Sequence, residues 1–132
     1  MNNAANYTSI ATSALNAFNA GCLDRMVCLA WLENALHRGV ARCPSCMAKV
    51  ADKQLARWKA FERLQCPDCG KFYTAATGTW VAGAKLEANQ IFVLAALVAM
   101  KVDRPLIAAA IGISEVTVRY WVDKFAAIEA IA

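Results

Sequence analysis

The chain has 132 residues, 59% of them apolar and 18% charged, and carries a net charge of +4. That length excludes a large enzyme domain, and the apolar fraction excludes a disordered tail. The longest apolar run, Ile91–Met100, is about half a membrane crossing, and the Asn- and Ala-rich start lacks the early basic residues of a secretory signal, so a cytoplasmic protein with no membrane partner is expected.

Taken in chain order, Tyr7, Ile10, Ala11, Ala14, Leu15 and Phe18 recur at helical spacing and predict a helix over 7–20, with Gly21 as its stop. A second helix is expected from about Asp24 to His37, with Leu23, Val27, Ala30, Trp31 and Leu36 as its apolar stripe. His37 and Arg38 fall in its last turn and Gly39 just beyond. Residues 41–80 lose this rhythm. Trp58–Gln65 alternates loosely and Phe72-Tyr73 favours strand, so short β-strands hung on two cysteine turns are expected here. The helical signal returns with Glu87–Met100, apolar on every side across Ile91–Met100 and therefore buried on most of its circumference. Lys101-Val102-Asp103 breaks it. Pro105 suits the first turn of a short helix through Ile111, Gly112 permits a tight turn, and Ser114 caps a last helix running to about Ala127. Val118, Trp121, Val122 and Phe125 face inward on that helix.

The strongest motif is Cys43-x-x-Cys46, nineteen intervening residues, then Cys66-x-x-Cys69. Two residues between thiols let one tight turn present both sulfurs to the same ion, and a second turn alongside completes a tetrahedral set. Pro44 and Pro67 stiffen the turns, and Gly70 frees the backbone after the last ligand. Four thiolates leave no open position for water, so one structural zinc ion per chain is expected rather than a catalytic one. Two disulfides would require an oxidising compartment, which nothing in the sequence suggests. Cys22 and Cys28 lie in apolar helical context and are read as buried small residues, and His37 as a surface or capping histidine.

Charge is unevenly placed. Residues 41–85 hold eight Lys or Arg against Asp52, Glu62 and Asp68, a local balance of +5, whereas residues 1–40 balance to zero and 86–132 to −1. A basic patch on the cysteine-rich segment suits a polyanion, with Lys49, Arg57, Lys59, Arg63 and Lys71 as candidate phosphate contacts. Downstream, Arg104–Asp123 reads as a helix-turn-helix. Small Ala108 allows close approach, and Ile107, Ile111, Ile113, Val118 and Trp121 supply the interior. Ser114, Glu115, Thr117, Arg119 and Tyr120 are left facing outward on the second helix, where such proteins meet base edges in the major groove. Arg119 could bond guanine, Glu115 could accept from cytosine, and Thr117 or Tyr120 could contact phosphate or a thymine methyl. Glu115 and Asp123 would be repelled by phosphate, and a plain three-helix core is the alternative.

Cys28-Leu-Ala-Trp-Leu-Glu33, Gly39, Cys43-Pro-Ser-Cys46, Cys66-Pro-Asp-Cys69-Gly-Lys-Phe72, Thr77-Gly78-Thr79 and Ile111-Gly-Ile-Ser-Glu-Val-Thr-Val118 together resemble the N-terminal region of zinc-ribbon transposases of bacterial insertion sequences. The resemblance covers roughly residues 23–125. It implies a short helix, a zinc ribbon, a Thr-Gly-Thr turn and a helix-turn-helix, in that order, without the carboxylate-bearing nuclease domain that follows in the family. Met47 stands where a glycine is common after the first cysteine turn. The expected organisation is α+β: an N-terminal helical segment over 1–40, a small zinc-ribbon β module over 41–83, and a three-helix C-terminal helix-turn-helix over 84–132.

The leading function is then sequence-selective binding of double-stranded DNA by a transposon- or phage-derived regulator or terminus-recognition module. The alternative is a protein-interaction adaptor that keeps this scaffold and meets a partner, or a second copy of itself, through its apolar helices. One histidine and no carboxylate cluster argue against an enzyme.

Overall fold

The computed structural model of the protein describes residues 23–131, so the helix expected over 7–20 and Cys22 lie outside it. Among the described residues, five helices and a two-stranded antiparallel sheet make an α+β architecture: α1 Arg25–His37, α2 Asp52–Lys59, β1 Leu64–Gln65, β2 Phe72–Tyr73, α3 Ala88–Ala99, α4 Arg104–Ile111 and α5 Glu115–Ile131. The described residues fall into two compact units, one spanning Leu23–Asn89 and the other beginning at Gln90.

In the first unit α1 starts where the Asp24 carboxylate accepts from the Met26 N–H at 2.9 Å, and ends with Arg38 in the left-handed region. Its buried face is Cys28, Leu29 and Leu32, not the stripe that spacing suggested, and Val27 and Ala30 are exposed. The reason is compositional: α1 is apolar most of the way round, so periodicity alone does not choose which side packs.

A second departure is α2, which occupies part of the segment read as strand. Leu55 and Trp58, one turn apart, give Asp52–Lys59 its inner face, and Asp52 at the start with Arg57 and Lys59 at the end suit the helix dipole. Its end is a Schellman arrangement: Glu62 N–H donates to Arg57 O and Phe61 N–H to Trp58 O, with Phe61 at φ 60°. The core of this module is Val50, Trp58, Leu64, Tyr73 and Ala75 together with the sulfurs of Cys43 and Cys66, and Leu55 and Phe61 pack against it. At its ends, the buried Asn89 side chain donates to Leu23 O at 3.0 Å.

In the second unit α3 buries Ile91, Val93, Leu94 and Leu97, as an apolar circumference requires. Val102 N–H to Leu97 O and Lys101 N–H to Val98 O close its end, with Lys101 at φ 59°. Pro105 lies in the first turn of α4, whose inner face is Ile107, Ala108, Ala110 and Ile111. Gly112, at φ 82°, supplies the left-handed residue that turns the chain. Thr117 N–H then donates to Ser114 Oγ at 3.1 Å, capping α5, which runs four residues past the expected end at Ala127. The axes of α4 and α5 differ by 109°. Val118 and Trp121 are buried on α5, while Val122 and Phe125 are half-buried. Among the described residues no single helix is long and apolar enough to cross a membrane.

Candidate metal centre

Two turns of the same local design carry the four cysteines. In the first, Met47 N–H donates to Cys43 O and Cys43 N–H to Ala48 O, each at 2.9 Å. In the second, Gly70 N–H donates to Cys66 O at 2.8 Å and Cys66 N–H to Lys71 O at 2.9 Å. The residue after the second cysteine must be left-handed in both, and Met47 at φ 66° matches Gly70 at φ 76°. Only the second turn uses the residue type that reaches this region without strain.

The four Sγ atoms lie within 4.8 Å of one another, with Cys43–Cys69 at 3.7 Å and Cys46–Cys66 at 3.6 Å. Both short pairs link one turn to the other. A disulfide would place them at about 2.05 Å. Thiolates at about 2.3 Å from one ion, tetrahedrally arranged, stand about 3.8 Å apart, so this donor set fits a tetrahedral metal ion. Cys43 and Cys66 are buried and Cys46 and Cys69 exposed, so the cluster sits at the margin of the module's core.

The protons are unevenly held. Burial raises Cys43, but N–H groups of Cys46 and Ser45 and the thiols of Cys69 and Cys46 outweigh it and bring Cys43 down to about 7. At Cys46 the Ala48 N–H lowers the pKa, yet desolvation and the neighbouring sulfurs Cys66, Cys43 and Cys69 push it up to about 12. Burial, then the four sulfurs, also raise the Tyr73 phenol. Four thiols this close cannot all be thiolates without a cation among them.

His37 is neither a surface nor a capping residue. Its Nε2–H donates to Ala75 O at 2.6 Å and its ring lies 4.9 Å from that of buried Trp58, fastening the end of α1 to the module's core. Cys28, in contrast, is buried as expected, and burial followed by Asp24 raises its thiol.

The five candidate phosphate contacts are all exposed, on different parts of the module. Arg57 and Lys59 end α2. Arg57 sits 3.6 Å from Glu62 and donates to Arg63 O at 3.1 Å, so it and Arg63 are neighbours. Lys49 bridges antiparallel to Arg42, and Lys71 lies just before β2. On α5, Ser114, Glu115, Arg119 and Tyr120 are exposed and Thr117 half-buried, its hydroxyl 2.9 Å from Ser114 Oγ. Lys124 reaches back to the Tyr120 hydroxyl at 3.5 Å and lies 5.4 Å from its ring.

Three residues escaped the sequence reading. Val116 is 78% exposed in the first turn of α5, and Phe72 54% exposed on the sheet. Arg42 donates to Met47 O at 3.1 Å and so braces the first cysteine turn. The inward phase of Val118 and Trp121 implies an outward Val116, and Tyr73 turned into the core implies an outward Phe72, so both signals were present.

No protein-family model, curated protein or solved structure matches the chain.

Proposed function

We propose that the protein binds double-stranded DNA sequence-selectively, as a cytoplasmic regulator or terminus-recognition module of the kind found in mobile elements, with one structural zinc ion on Cys43, Cys46, Cys66 and Cys69. The observation that carries this reading is the pair α4 and α5. Two helices meeting at 109° across a break containing Gly112 suit a helix-turn-helix and support this reading. The first turns of the second helix bear an exposed row of Ser114, Glu115, Val116, Arg119 and Tyr120. Arg119 has the fork geometry that pairs with guanine, and Val116 is an apolar contact for a thymine methyl. The cysteine module, a zinc ribbon in this reading, adds exposed cations that hold phosphate without reading sequence.

Zinc is favoured over other ions because four thiolates in a tetrahedron are its usual structural set. Filled by sulfur, the ion lends folding free energy and no chemistry. Catalysis is not part of the proposal: the four cysteines are the metal-capable cluster of three or more groups among the described residues, and the Nε2 of His37 is already engaged.

The test is a salt titration of binding to random duplex and to a site selected from a random pool. Ala at Lys49, Lys59, Arg63 or Lys71 should weaken binding to both and reduce the salt slope by about one unit for each true contact. Arg119→Ala should cost about 1–3 kcal/mol on the selected site only. Negligible binding to both duplexes at low salt would sink the reading. The adaptor reading would then stand in its place, supported by exposed Met100, Leu106 and Val116 in the second unit.

A further inference from the structure

On the two-stranded sheet, Leu64 and Tyr73 are paired and turned into the core, while Gln65 and Phe72 are paired on the outer face. Arg63, two residues before Gln65, falls on that same outer face, diagonal to Phe72. Its guanidinium carbon lies over the Phe72 ring, 4.2 Å from the centroid, so the pair forms a layered cationic and aromatic plate on the exposed side of the sheet. Lys71 adjoins Phe72 in sequence and adds positive charge beside the plate, while the charge of Arg57, which donates to Arg63 O, is offset by Glu62 at 3.6 Å. The Gln65 amide is held to Gly70 O at 3.1 Å, which keeps the cross-strand neighbour of Phe72 in place.

An exposed phenylalanine that only filled space would sit among apolar neighbours. This one is covered by a guanidinium, which disfavours an apolar protein surface and suits a polyanion with a π-face to offer. In an intact duplex the base faces are stacked on one another and closed to such a plate. They open in single strands, bubbles and frayed ends.

We propose that the Arg63–Phe72 plate is a stacking site for an unpaired nucleobase, so that the module binds single-stranded or locally opened DNA in preference to perfect duplex. This deepens the DNA-binding reading and rests on it for the polyanion. It does not rest on the α5 contacts. The base stacks on the face of the pair left open to solvent, Arg63 orients the Phe72 ring and contributes charge, and Lys71 draws in the backbone. Stacking on an aromatic side chain is tolerant of base identity, so this site contributes structure preference and leaves sequence choice elsewhere.

The experiment uses the zinc-loaded full chain and fluorescence anisotropy with three labelled DNAs of equal length: perfect duplex, the same duplex with a central mismatched bubble, and one strand alone. The wild type should bind bubble and single strand on the order of tenfold more tightly than random duplex. Phe72→Ala should abolish that preference while leaving duplex affinity and its salt slope unchanged, and Phe72→Trp should restore it. Metal content and the circular dichroism spectrum check that each variant is folded. A wild type with no preference, or a preference unmoved by Phe72→Ala, overturns the plate and leaves duplex recognition standing. A preference that depends on Phe72, without binding to any selected duplex, sinks sequence-selective recognition and leaves the plate. If Phe72→Ala changes the chain's oligomeric state instead of its DNA preference, the face is a protein contact and the proposal fails.

Discussion

The two units of this chain are built on opposite economies of structure. The unit Leu23–Asn89 has one long helix, one short helix and two strands of two residues each, and three of its buried core residues, Cys28, Cys43 and Cys66, are cysteines. The residues from Gln90 on are almost wholly helical, around Ile91, Leu94, Ile107, Val118 and Trp121. The first unit spreads its apolar burial over the longer stretch of chain and sets two of the four clustered sulfurs inside its core. The second depends on apolar area removed from water, which is usually the largest force favouring a folded chain. A metal should therefore matter to one and be irrelevant to the packing of the other.

The largest effect should come from removing the ion. Structural zinc in small modules is worth about 10–16 kcal/mol of apparent free energy. A strong chelator, or Cys43→Ser, should release the metal and expose the amides of Cys43, Met47, Cys66 and Gly70 to hydrogen exchange, while those of Ile107 and Val118 stay protected. Equal loss in both units would break the comparison. Cys28→Ser should keep full metal content.

Next in size, Leu94→Ala should destabilise the helical unit by about 3 kcal/mol, since the side chain is fully buried and truncation leaves a cavity. Elemental analysis should still find one zinc per chain. Metal loss in this variant would show that the helical core supports the cysteine cluster.

A pH titration sharpens the metal side. A thiol must lose its proton to bind, so affinity rises with pH. Cys46, pushed up to about 12, gives up a proton at any working pH, whereas Cys43, at about 7, holds one only below that. The protons released per ion should therefore be greater by about one at roughly pH 6 than at roughly pH 8, and the affinity should fall more steeply with acid below 7. Calorimetry in buffers of different ionisation enthalpy counts them directly. An unchanged count would contradict the unequal thiols.

The smallest effect tests the difference between the two cysteine turns. Met47 holds φ 66° with an exposed side chain, so Met47→Gly should relieve strain and raise stability by up to about 1 kcal/mol. Gly70→Ala should cost about as much, all of it in the backbone, because nothing lies within 4 Å of the added carbon. Thermal denaturation of the zinc-loaded chain reads both signs.

What was legible in the sequence follows the same division. The cysteine spacing announced the cluster because sulfur geometry leaves few alternatives, and the cap at Ser114, the turn at Gly112 and the inward phase of Val118 and Trp121 were readable because each is a local rule. The helix α2 was not, since Leu55, Ala56 and Trp58 are too few to set a period in Asp52–Lys59 and the metal turns dominate their surroundings. The buried face of α1 escaped for the opposite reason, an excess of apolar residues. His37 escaped because its partner, Ala75 O, is thirty-eight residues away and is backbone, invisible to any side-chain pattern.

The bond from Asn89 to Leu23 ties the last residue of the first unit to its first. A folded segment whose entrance and exit touch can be spliced into a surface loop of another protein without stretching either. The chain thus enters and leaves residues 23–89 at one place, with the amide of one asparagine in the first turn of α3 as the clasp.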